Sequence, residues 1–110
     1  YVNDGALELA TVSLDAPEGG PGYRVVARGE VDAATAPQLA DALGSLADDG
    51  AKLVVLDASD VGFLDSSGLR VIVNTGQALT SAGGRLVIDG MSPAVHRVLE
   101  VSGLLDQYRA

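Results

Sequence analysis

After an opening segment of loose alternation, the chain reads as short apolar runs of strand character separated by stretches of helical period. Ala6 to Leu14 alternates partly between apolar and polar positions. The turn-rich run Asp15-Ala16-Pro17-Glu18-Gly19-Gly20-Pro21-Gly22 breaks it, predicting a first strand and a hairpin-like loop. Tyr23 to Val31, centred on Val25-Val26-Ala27, is the second strand. Thr35 with Gln38 three positions on matches a capping box. Leu39, Ala42, Leu43 and Leu46 follow at helical spacing, and Asp48-Asp49-Gly50 supplies the stop.

Lys52 to Ala58 contains the continuous run Leu53-Val54-Val55-Leu56, the pattern of a strand covered on both faces. A short acidic loop is expected after it. A second helix then starts near Ser66 and buries Leu69, Ile72, Val73, Gly76 and Leu79 before Gly83-Gly84 ends it. Leu86-Val87-Ile88 is the fourth strand. Ser92 as N-cap and Pro93 at the first helical position open a third helix, with Val95, Val98 and Leu99 as its stripe and Gly103 as its exit. Leu104, Leu105 and Tyr108 are expected to fold back as a terminal turn. Strands two to four recur about every 30 residues with a helix between each pair, the spacing of right-handed crossovers and hence of parallel pairing. The expected fold class is α/β. It is a small four-stranded mixed sheet, mostly parallel because only the first hairpin is antiparallel, with helices packed mainly on one face.

Length and charge narrow the function. The 110 residues, 47% hydrophobic and 20% charged, make a single domain over 1–110, able to bury somewhat over half of its unfolded surface. Seven Lys plus Arg against fifteen Asp plus Glu leave a net charge of −8, which repels phosphate backbones and anionic lipid headgroups. A protein partner or a small ligand is expected, with no direct nucleic-acid or membrane contact. The absence of cysteine removes disulfides, thiolate zinc sites and cysteine nucleophiles, and agrees with a reducing, cytoplasmic location. No apolar run approaches the ~20 residues that span a bilayer, and no signal peptide is evident. The start at Tyr1 rather than Met leaves a longer parent chain open.

Ser66 is the leading chemical candidate. Its hydroxyl falls where the backbone amides of a new helix converge, a place suited to negative charge. The plainer role for such a serine is an N-cap, worth ~1 kcal/mol. Asp65 or Ser67 can also cap, which would free one hydroxyl, and Gly68 leaves the approach uncrowded. Asp32 is read as holding the turn before Thr35 through an Asx-type hydrogen bond. Asp57 and Asp60 flank the loop before Ser66, with Asp57 the better candidate for a structured turn.

Other chemistries fit poorly. A phosphoaspartate receiver needs a lysine after a later strand, and the only lysine is Lys52. A hydrolase built on Ser66, His96 and Asp89 lacks the Gly-x-Ser-x-Gly elbow, and His96 adjoins Arg97 on what reads as the surface of the third helix. One histidine and no cysteine make a poor transition-metal shell, and neither Gly-rich phosphate fingerprint is present. No metal, cofactor or enzymatic activity is expected.

Five segments, in order, resemble the STAS domain of bacterial anti-sigma-factor antagonists. They are Gly29-Glu30-Val31-Asp32, Val54-Val55-Leu56-Asp57, Phe63-Leu64-Asp65-Ser66-Ser67-Gly68-Leu69, Ser92-Pro93-Ala94-Val95 and Val101-Ser102-Gly103-Leu104. The resemblance covers essentially the whole chain. It implies a non-enzymatic regulatory module whose unphosphorylated form binds an anti-sigma factor and frees a sigma factor for transcription. That anti-sigma factor is itself a serine kinase with a histidine-kinase-like ATP fold. By the same resemblance, phosphorylation of the motif's first serine, here Ser66, ends the interaction, and a serine phosphatase restores it. Ser67 is the alternative address. The implied partner-binding face comprises Asp32, Asp65, Ser66, Ser67 and Gly68. Two other readings stay open: a STAS scaffold in a transporter, lipid-trafficking or stress-sensing complex whose serine is never modified, and a sensor of a nucleotide or an apolar molecule.

Overall fold

Strand β1 (Leu7–Asp15) runs antiparallel to β2 (Pro21–Val31), and β3 (Leu53–Leu64) and β4 (Arg85–Met91) add parallel to it in the spatial order β1-β2-β3-β4. Helices α1 (Ala36–Asp48) and α2 (Ser66–Ser81) make the two crossovers, and α3 (Pro93–Val101) and the short α4 (Leu105–Tyr108) follow β4. This computed structural model describes residues 6–15 and 19–110; Ala16, Pro17 and Glu18 of the expected hairpin loop lie outside them. The sheet order and mixed polarity are those expected from the chain.

One face of the sheet carries the core. Val25 and Ala27 of β2, Val54, Leu56 and Ala58 of β3, and Leu86 and Ile88 of β4 pack against Leu39 and Leu43 of α1, Ile72 and Leu79 of α2, and Val95 and Leu99 of α3. The expectation that Lys52 to Ala58 is covered on both faces is corrected. Val55 and Asp57 alternate onto the opposite face and are only half-buried. Val55 lies between Arg24 and Val87 in register, so its apolar character serves cross-strand packing rather than a second helix layer. On the same face Arg24 joins Asp57 at 2.8 Å and Asp89 at 3.2 Å. Hydrogen bonds from the Ser59 hydroxyl and amide, and secondarily Arg24, hold the Asp57 carboxyl below its ordinary pKa.

The acidic loop expected between Ala58 and Ser66 is also absent as a loop. β3 continues to Leu64, with Val61 and Leu64 in the core, and Asp60 faces Arg28 at 3.6 Å. Register shifts between Val26 and Arg28 and between Gly29 and Glu30 break the two-residue period. The strand is therefore hidden from any pattern that requires strict alternation.

The expected capping box does not form at Thr35, whose side chain caps no amide of α1. Its hydroxyl instead donates to the Glu30 carbonyl at 2.8 Å and accepts from the Asp32 amide, while Gln38 Nε2 reaches across to the Leu7 carbonyl at 2.9 Å. The helix start is thereby tied to edge strand β1. In α2 the buried positions are Gly68, Ile72, Thr75, Gly76 and Leu79, so Leu69 and Val73 are half-buried rather than central to the stripe. The Tyr108 ring lies on Gly76, where a Cβ would come within 2.8 Å of it, and Gly68 lies on Leu64 and Val31.

Ser92 caps α3 as expected and does one thing more. Its hydroxyl accepts from the Val95 amide at 3.2 Å and donates to the buried Val61 carbonyl, locking α3 onto β3. Ser92→Ala is expected to lose the cap and strand that carbonyl, costing about 1–3 kcal/mol in a denaturant titration. A change below about 0.5 kcal/mol would mean that water replaces the hydroxyl without loss.

Candidate functional site at the start of α2

The parallel register brings two turns together. Val31 and Leu64 pair at the ends of β2 and β3, and the Asp65 amide donates to the Val31 carbonyl at 3.2 Å, so Asp32 and Asp65 begin adjacent departures from the sheet. Asp32 makes the expected Asx turn. Its Oδ1 accepts from the amides of Ala34 at 2.9 Å and Thr35 at 3.0 Å, whereas its Oδ2 has no hydrogen-bond partner among the described residues.

Asp65 is the cap of α2. In an extended backbone conformation, its Oδ1 accepts from the Ser67 amide at 2.9 Å and the Gly68 amide at 3.3 Å. The capping role that competes with other uses of Ser66 therefore falls to its neighbour. Ser66 is the first helical residue, exposed, and its hydroxyl makes no hydrogen bond among the described residues. Ser67 is half-buried. Gly68 does not belong to the exposed face: it is buried, with Leu64 and Val31 where a side chain would project. Its contribution is to let the helix start sit directly on the ends of β2 and β3.

An apolar groove of about 360 Å³ opens beside Ser66, a feature that the sequence pattern did not reveal. Leu64, Asp65, Ser66 and Leu69 form one wall, and Arg97, Val98, Val101 and Ser102 of α3 and its end form the other. Val101 is 79% exposed and Phe63, just before the site, is 46% exposed. Leucines and valines displaced from the centre of both helical stripes were the available signal, since half-buried apolar residues on adjacent helices can share a cleft.

Asp57 and Asp60 lie apart from this site, on β3 in their ion pairs. His96 and Asp89 line a different depression from Ser66, so the three do not assemble into a catalytic triad. No helix among the described residues is long and apolar enough to cross a membrane.

Comparison with known proteins agrees with this architecture. A family model described as "Mlab, STAS domain" matches residues 17–106. The anti-sigma-B factor antagonist of Staphylococcus aureus (strain NCTC 8325 / PS 47) is 34% identical over 84 residues, covering 76% of this chain and 78% of that protein. That of Bacillus subtilis (strain 168) is 33% identical over 95 residues and covers 86% of each chain. A crystal structure of an anti-sigma factor antagonist from Mycobacterium paratuberculosis superposes with a TM-score of 0.74 at 30% identity, covering 92% of this chain and 83% of that one. With its β1-β2-β3-β4 sheet, its one-sided helices and an Asp-Ser-Ser-Gly helix start, the chain belongs to the STAS domain family.

Proposed function

We propose that this domain is an anti-sigma-factor antagonist whose unmodified form binds an anti-sigma serine kinase and whose phosphorylation at Ser66 ends that binding. The observation that carries the reading is the exposed Ser66 hydroxyl, relieved of capping by Asp65 and placed beside the Asp32 turn and the apolar groove. The named relatives support the antagonist role. In the modification, Ser66 Oγ attacks the γ-phosphorus of ATP, ADP leaves, and the serine proton passes to a base on the kinase. A phosphatase reverses the state when water attacks the phosphorus and returns the hydroxyl and inorganic phosphate. The domain itself supplies a surface and an acceptor, not a catalytic group.

Partner docking in this reading uses Asp32, Asp65, Ser66 and Ser67 as a polar rim and the groove with Phe63 as its apolar centre, the usual division within a protein interface. The test is incubation of the purified domain with candidate anti-sigma kinases and ATP, followed by peptide mass mapping. Phosphate on Ser66 is the expected result. Phosphate on Ser67 would move the address by one residue, and binding without modification would favour a scaffold role.

A further inference from the structure

A helix start ordinarily offers an anion its free amides, but in α2 two of them are engaged. Asp65 Oδ1 already accepts the Ser67 and Gly68 amides, and its charge lies one residue from Ser66. A phosphate on Ser66 must therefore find its counter-charge elsewhere. Most of the seven basic residues are engaged. Arg24, Arg28 and Arg109 face carboxylates, Lys52 donates to the Ala82 carbonyl, and Arg85 has a partner. Arg70 and Arg97 are exposed and make no hydrogen bond or ion pair among the described residues.

Both lie near Ser66. Arg70 is four residues further along α2, on the same helical face, and side chains on a helix lean back toward its N-terminus. Arg97 lines from α3 the groove that Ser66 lines from α2. A guanidinium offers a phosphate two parallel donors, so two such groups can hold the doubly charged ester from different sides.

We propose that a phosphate on Ser66 is clamped by Arg70 and Arg97 across the mouth of the groove. This rests on Ser66 being the phosphoacceptor. Modification then does more than add repulsion: it occupies two cations that the unmodified domain presents, and draws a charged bridge over Leu64, Leu69, Val98 and Val101.

The test installs phosphoserine at position 66 during translation by amber suppression, so that it depends on no kinase. The second ionisation of the phosphate is followed by 31P NMR in the parent, in R70Q and R97Q, and in the double variant, with circular dichroism as the folding control. An unpaired phosphoserine titrates near pH ~6, and pairing with cations favours the dianion, so the parent is expected to titrate about half a unit or more below the double variant. Each single variant should fall between them, and the R70K/R97K variant should keep most of the shift. Coincident curves for the parent and the double variant would overturn the clamp, and a midpoint that responds to only one arginine would overturn its paired form. A kinase that never modifies Ser66 would count against the proposed function without altering what this titration reads.

Discussion

Phosphorylated at Ser66, the domain should bind its anti-sigma kinase about tenfold more weakly than the unmodified form, or worse, a loss of about 1.4 kcal/mol for each factor of ten. Secondary structure should not change, because Asp65 rather than Ser66 caps α2. For the same reason Ser66→Ala should leave the helix start intact, and, losing one rim hydroxyl only, should still bind the kinase, locked in the active state. Ser66→Asp should reproduce the phosphorylated state only in part. It supplies one charge on a shorter group, against the roughly −1.5 to −2 of a phosphate. Ser67→Ala should remain a substrate for the kinase. Calorimetry on stoichiometrically phosphorylated protein beside the unmodified form, with circular dichroism as control, decides the matter; equal affinities would remove the switch from this domain's repertoire.

A large effect on stability is expected at Gly68. A Cβ built there would lie 2.4 Å from Leu64 Cδ1 and 2.6 Å from Val31 Cγ1, both core side chains. Gly68→Ala sets a gain of about 1 kcal/mol in helix propensity against an overpacking cost of about 1–3 kcal/mol, so its net effect is small to moderate. Valine adds two more methyl groups with a poorer propensity, and Gly68→Val should cost about 3 kcal/mol in urea titration. Val31 and Leu64 are the paired residues from which Asp32 and Asp65 depart, so the displaced helix should also weaken partner binding in the fraction that folds. A loss below about 1 kcal/mol would show that the two side chains turn aside at little cost.

Strand polarity, helix order and the positions of Ser66 and Ser92 were legible because each depends on nearby residues: a turn-rich break, an apolar run of a given period, a capping residue before a helix. What escaped depends on contacts distant in sequence. Gln38 looks like half of a capping box, yet its amide serves Leu7, 31 residues away. The apolar run of β3 reads only to Ala58 because register shifts destroy the alternation by which its second half would be recognised. The α2 pattern reads with Leu69 and Val73 in its stripe and without Gly68, because a glycine contributes nothing to an apolar period even when it marks the closest contact of the helix with β2 and β3. The same blindness affected the site. By sequence Ser66 is the plain candidate for the cap and Asp65 or Ser67 can also serve it; only the geometry assigns it to Asp65, which leaves Ser66 free.

The identity between spatial and chain order in the sheet bears on how the domain is made. Each strand that leaves the ribosome finds its only earlier neighbour already present, so the sheet can grow in one direction without waiting for a distant partner. The exception is the closing step. Arg109 pairs with Ile88 beyond β4 and Tyr108 seats on Gly76, so the β4 edge of the sheet and the flank of α2 are covered only when residues 105–110 emerge. Released chains that stop just after Leu104 should therefore be cut by protease faster than chains carrying the same sequence through Ala110, with the difference concentrated along β4 and α2.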